Sequence, residues 1–212
     1  MEITVLFEDD HIIVAVKPFG VLSEAHPTQP NMPALLREQC GCGVYPVHRL
    51  DKTTEGLIVY AKTQNAAARL SAMIQKNEVE KTYLALVEGT PDERGELTDL
   101  LYFDRSRNKS YVVRRERRGV KQARLTYERL ESYEREGKPV SLVRIRLLTG
   151  RTHQIRVQFA SRRMPLVGDR RYGSQLHAAQ IALCAAELRV THPITGQELH
   201  FSVEPTFIKK SR

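Results

Sequence analysis

The chain is predicted to adopt an α+β fold built on a large mixed, mostly antiparallel sheet flanked by helices and loops. Strand-like segments outnumber helical ones, and several follow each other as hairpin-like pairs. No internal repeat or long flexible linker divides the chain, so residues 1–212 are expected to form one domain. No phosphate-binding Gly-rich loop of the Walker or dinucleotide kind is present, so nothing asks for a nucleotide cofactor.

The elements follow in order. Ile3–Phe7 and His11–Val16 read as strands joined by the turn Glu8-Asp9-Asp10, and Lys17-Pro18-Phe19-Gly20 punctuates the second. Residues 23–33 are Pro-rich and polar, hence a loop, with Asn31 placed to cap a short helix containing Ala34, Leu35 and Leu36. Leu57–Ala61 is an apolar run of strand length. Asn65–Gln75 sets Ala66, Leu70, Met73 and Ile74 on one helical face. Lys81–Val87 is a strand ended by Glu88-Gly89-Thr90-Pro91. Residues 104–122 are expected to be a mobile basic hairpin or loop around the short strand Tyr111-Val112-Val113. Ala123–Leu130 and Val140–Leu148 alternate as strands about a polar turn, and a helix is expected from Thr152 to Ser161. Ala182–Val190 and Leu199–Val203 complete the strands.

Composition narrows the function. No apolar run approaches the roughly 20 residues that span a bilayer. The N-terminus Met1-Glu2-Ile3-Thr4 is acidic where a secretory signal is basic, so the expected location is the cytoplasm. Three cysteines, Cys40, Cys42 and Cys184, do not make a recognised zinc pattern, so no metal is expected. The net charge is +8, and it is clustered: seven Lys or Arg against two acids lie between Asp104 and Arg118, and Arg162, Arg163, Arg170 and Arg171 form a second group. Such clusters favour a polyanion, most often nucleic acid.

Four segments carry chemistry. In His48-Arg49-Leu50-Asp51, a carboxylate sits two residues after an Arg at the start of a strand. Asp51 is therefore a candidate nucleophile, although alone it also reads as a turn-opening Asp that Arg49 solvates. In Lys81-Thr82-Tyr83, the strand Tyr offers a planar face for a base and a hydroxyl for proton transfer; a satisfied core Tyr is the alternative. In Gly150-Arg151-Thr152-His153-Gln154-Ile155-Arg156, a helix beginning near Thr152 would offer free backbone donors to an anion. Arg156 would share a face with Thr152, within reach of a carboxylate or phosphate. Arg151 and His153 at this helix start are expected to bind substrate. Residues of Gly168-Asp169-Arg170-Arg171-Tyr172-Gly173, taken singly, read as a solvated turn.

Taken together, the order H-R-L-D…G-L, K-x-Y-x-A-x-V-x-G, G-R-T-H-Q-I-R and G-D-x-x-Y-G closely resembles the RluA-type family of RNA pseudouridine synthases, from about Phe7 to Phe201. The resemblance implies the pseudouridine synthase catalytic fold and an isomerase that turns uridines of ribosomal or transfer RNA into pseudouridine without cofactor or metal. It places the catalytic aspartate at Asp51. Arg49 matches the arginine that displaces the target base and fills its place in the stack. Tyr83 matches the tyrosine that packs on the base and helps remove the carbon-5 proton, and Arg156 the basic residue paired with the aspartate. RNA is the implied partner, with neither DNA nor membrane, and the implied state is a monomer. Glu55, Gln158 and Cys184 depart from the usual family residues. No separate N-terminal RNA-binding domain is expected, which leaves target selection to the catalytic domain, with the 104–122 insert as the expected selector. A non-catalytic RNA binder and a hydrolase are the rival classes. The first has no need of Asp51, Tyr83 and Arg156 together, and the second lacks a placed second carboxylate or metal.

Overall fold

A computed structural model describes residues 1–208, which form two compact units. The first comprises Met1–Lys81 and the chain from Cys184 onward; the second is the continuous segment Thr82–Leu183. The described residues contain eleven strands and three α-helices, an α+β architecture.

The first unit is organised around β4 (Glu55–Ala61), every residue of which is buried. β1 (Val5–Glu8) pairs antiparallel with β2 (Ile12–Lys17), and the whole of β2 pairs antiparallel with β4, from Ile12↔Ala61 to Lys17↔Gly56. β10 (Leu183–Thr191) joins β4 in parallel only at Glu55↔Cys184 and Gly56↔Ala185, and β11 (Glu198–Ser202) pairs antiparallel with β10. The two-residue strand β3 (Tyr45–Pro46) pairs with the end of β4. Alternate residues Ile12, Val14, Leu57, Val59 and Ala61 point into one core. α2 (Gln64–Gln75) covers them with Ala66 and Leu70, one turn apart. Thr63 caps this helix, its hydroxyl accepting from the Ala66 N–H. α1 (Met32–Cys40) starts at the predicted Asn31 cap, whose Oδ1 accepts from the Ala34 N–H, and ends at left-handed Gly41.

The second unit is an antiparallel sheet in the order β5 (Glu80–Glu88), β9 (Lys138–Leu147), β8 (Val120–Arg135), β6 (Arg94–Asp104), β7 (Lys109–Val113). β8 and β9 are longer than the alternation suggested and turn through Glu136 and Gly137, both at positive φ, as a tight hairpin requires. β6 was not expected from the sequence; its edges are exposed and only Leu97 and Leu101 are fully buried. The basic 104–122 segment is the β6–β7 hairpin and the return to β8. Asp104 closes its turn, Oδ1 accepting from the Ser106 and Arg107 N–H groups. α3 (Gln154–Ala160) is two residues shorter at its start than predicted, because His153 adopts a left-handed conformation (φ 53°) that a helix cannot include. Val157 packs on Leu101 and Ala123, and Phe159 meets Tyr127 edge-on at 5.4 Å.

Candidate active site

Arg49 and Asp51 belong to the first unit; Tyr83, Arg151, His153 and Arg156 to the second.

The loop that carries Asp51 is pinned through the backbone of Leu50, Asp51, Lys52 and Thr54. Ser23 Oγ accepts from the Leu50 N–H at 3.0 Å and donates to the Leu50 carbonyl at 2.9 Å. Tyr60 Oη in turn donates to the Ser23 carbonyl at 2.7 Å. The Asp51 carbonyl accepts from the Thr54 N–H, and the Lys52 carbonyl from the Gly20 N–H. His48 Nε2 accepts from the Val59 N–H at 3.1 Å, tying the loop to β4. That acceptor role leaves the ring proton on Nδ1, which is buried with no partner. Burial, reinforced by the charge of Lys81, holds the His48 pKa well below its ordinary value, so the ring stays neutral.

Lys17 lies beneath the loop with no exposed surface. Its ammonium donates to the Pro18 and Val21 carbonyls at 2.8 and 2.9 Å and reaches the Lys52 carbonyl at 3.5 Å. Burial lowers its pKa to about 8, against the opposing pull of the Asp51 and Glu55 carboxylates. Glu55 is itself buried, its carboxylate accepting from the Thr206 N–H and hydroxyl at 2.8–2.9 Å. The residue that departs from the family pattern therefore fastens the C-terminal segment to the strand leaving Asp51. Cys184, another departure, is buried beside β4, and burial pushes its thiol up to about 12. Gly56 is required where it stands. At φ +114°, a Cβ there would lie 2.3 Å from the Ala185 carbonyl oxygen.

Arg49 points outward, 62% exposed, and pairs with Glu24 at 3.0 Å. Asp51 itself is half-buried.

In the second unit, Tyr83 is 6% exposed on β5, opposite Ile145. Arg156, 4% exposed on α3, makes a two-pronged ion pair with Asp169: Nε to Oδ2 at 2.6 Å and Nη2 to Oδ1 at 3.0 Å. Asp169 is 1% exposed, which corrects the expectation of a solvated residue there, whereas Arg170, Arg171 and Gly173 of the same turn are exposed as expected. The Gly-Asp-x-x-Tyr-Gly spacing was visible in the sequence, but the burial of its carboxylate was not. Tyr172, three residues on, lies under the Arg156 guanidinium at 5.0 Å and under Lys109 at 5.2 Å. Its hydroxyl accepts from the Ser110 N–H at 2.8 Å and lies 3.0 Å from His153 Nδ1. His153 is thus 8% exposed and held in the network, while Arg151 is exposed with its Nε donating to the Gln122 carbonyl. Gln154 shapes this turn, Oε1 accepting from the Arg151 N–H and the Thr149 hydroxyl. The third departure, Gln158, is fully buried and donates to the Leu97 carbonyl and Asp99.

Among the described residues, no helix is long and apolar enough to cross a membrane, and no group of three His, Cys, Asp or Glu side chains gathers as metal ligands would.

Comparison with known proteins converges on one family. Residues 11–161 match the model of the RNA pseudouridylate synthase family. The chain is 32% identical over 220 residues to tRNA pseudouridine synthase C of Vibrio parahaemolyticus, covering 94% of this chain and 89% of that protein. It is 34% identical to ribosomal large subunit pseudouridine synthase D of Zymomonas mobilis, covering 94% of this chain and 68% of that one. The fold superposes on human RNA pseudouridylate synthase domain containing 1 with a TM-score of 0.82 at 24% identity, covering 98% of this chain and 85% of the other. The chain belongs to the RNA pseudouridylate synthase family, of the RluA type, and is an RNA pseudouridine synthase, an isomerase.

Proposed function

We propose that this chain acts as a single catalytic domain on uridines of transfer or ribosomal RNA, with Asp51, Tyr83 and Arg156 as its catalytic residues and Arg49, Arg151 and His153 as substrate-binding residues. The reaction breaks the bond from ribose C1′ to uracil N1 and forms one from C1′ to C5. The C5 proton is lost and N1 gains one, so it balances without a redox partner, cofactor or metal. Asp51 supplies the carboxylate, as nucleophile or as electrostatic partner of the detached base. Arg156 keeps a positive charge in the site, Tyr83 packs on the uracil, and Arg49 fills the gap the flipped nucleotide leaves. Unstacking costs a few kcal/mol, which phosphate contacts offset. The enzyme is read as a cytoplasmic monomer with no DNA or membrane partner.

The observation that carries this reading is the pinned loop. Lys17, Ser23, His48 and the Thr54 N–H fix the backbone on both sides of Asp51 and leave its side chain half-buried. Aimed carboxylates need that rigidity; a solvated turn does not. The test uses transfer and ribosomal RNA carrying tritium at uridine C5. The wild type should release tritium from at least one pool and Asp51→Asn from none. No release by the wild type from either pool would overturn the reading.

A further inference from the structure

We infer that the cleft between the β6–β7 hairpin and the Gly150–Thr152 turn is an RNA subsite that seats one single-stranded nucleotide. The inference rests on the proposed function for its choice of RNA, and the site is separate from the residues assigned above except for Arg151.

The cleft is about 670 Å³, enough for a nucleotide. Arg105, Arg118, Lys121 and Arg151 line it, against a single acid, Asp104. That acid is already engaged: its Oδ1 accepts from Ser106 and Arg107. Arg105, Arg118 and Lys121 are exposed, so their charges are available to a phosphate. Tyr102 forms part of the wall, with the Arg117 guanidinium 4.7 Å from its ring centroid. A stacked Arg and aromatic ring make a platform on which a base of any identity can lie.

The floor is rigid. Ser110 is 1% exposed, and its hydroxyl donates to the Thr152 carbonyl at 2.5 Å while its N–H donates to Tyr172 Oη. The hairpin is thereby fastened to the turn that leads into α3, two residues before the helix that carries Arg156. Base-stacking surface inside a cleft suits one strand with its bases turned out, whereas a duplex keeps its bases inside.

The experiment measures anisotropy of a labelled ten-nucleotide oligouridine and of a twenty-pair RNA duplex between 50 and 300 mM salt. The proteins are the wild type, Arg105→Ser/Arg118→Ser/Lys121→Ser, and the remote control Arg37→Ser/Lys76→Ser/Arg189→Ser with equal charge loss. At about 0.7 per phosphate on a single strand, loss of three contacts should lower the salt slope by about 2. Single-strand affinity should fall at least tenfold in the cleft variant and less than threefold in the control. Oligouridine with one 4-thiouridine should cross-link to the peptide containing Tyr102. Equal losses in the two triple variants, equal losses for duplex and single strand, or cross-links confined to other peptides would overturn the inference. Tritium release by the wild type separates the two readings. Release without a cleft effect removes the subsite alone, and a cleft effect without release removes the synthase reading alone.

Discussion

Asp169→Asn is the most discriminating single change. The side chain keeps its shape and one oxygen, but loses the charge that faces Arg156. Both partners are at most 4% exposed, and both hydrogen bonds are short, at 2.6 and 3.0 Å. Removing one partner of a buried pair costs about 3–5 kcal/mol, because the remaining charge stays desolvated. The amide oxygen of Asn preserves one acceptor, which places the expectation at the lower end, about 3 kcal/mol. For a chain of this size each kcal/mol moves Tm by about 2–4 °C, so the fall should be about 6–12 °C. Urea unfolding gives the free energy and a thermal scan gives Tm. Tritium release from RNA should fall at least tenfold, because Arg156 loses the group that fixes its guanidinium plane. A loss below 1 kcal/mol with unchanged turnover would refute the claim that Asp169 orients Arg156.

Two further perturbations test the first unit. Lys17 titrates near 8 when folded and at its ordinary 10.5 when unfolded, so between those values the unfolded chain binds the extra proton and stability rises with pH. The gain attributable to Lys17 is up to about 3 kcal/mol, measured as the difference in urea stability between pH 7.5 and 10.5 relative to Lys17→Met; identical pH dependence in the two proteins would exclude it. Gly56→Ala should cost about 4 kcal/mol or prevent folding, because its Cβ would collide with the Ala185 backbone, whereas Gly137→Ala, with nothing within 4 Å, should cost about 1 kcal/mol from its positive φ alone. Similar melting temperatures for the two variants would show that the β4–β10 approach relaxes easily.

Local signals in the sequence led to some parts of this molecule and not to others. Strands β2, β4, β8 and β9 show in their apolar runs or alternation, α1 in its Asn31 cap and α2 in its one-sided apolar face. β6 escaped because its two buried residues, Leu97 and Leu101, are four apart, a spacing that suits a helix face as well as a strand face. The candidate site divides the same way. Asp51, Tyr83 and Arg156 stand out only through the order of four motifs. Asp169 sits among glycines and arginines, a context typical of water-exposed turns, and its partner lies thirteen residues earlier on a helix. Lys17 opens the punctuating turn Lys17-Pro18-Phe19-Gly20 in the sequence, yet three backbone carbonyls from two turns draw it inside. Such convergence depends on where separate segments meet, which spacing within one segment does not encode.

The division of the chain has a consequence for how the enzyme is made. The second unit is one uninterrupted stretch, whereas the first needs both ends of the sequence. On the ribosome, the unit carrying Arg156 has all its strands once Leu183 has emerged. β4, one strand downstream of Asp51, still lacks β10 on one side. At about 5–20 residues per second, the residues from Cys184 to Thr206 take a few seconds to follow. During that interval the strand edge at Glu55 and Gly56 stands open, and Glu55 awaits Thr206. The strand that follows Asp51 is therefore completed only by residues more than a hundred positions later, and a product stalled before β10 would leave the Glu55–Gly56 edge unpaired.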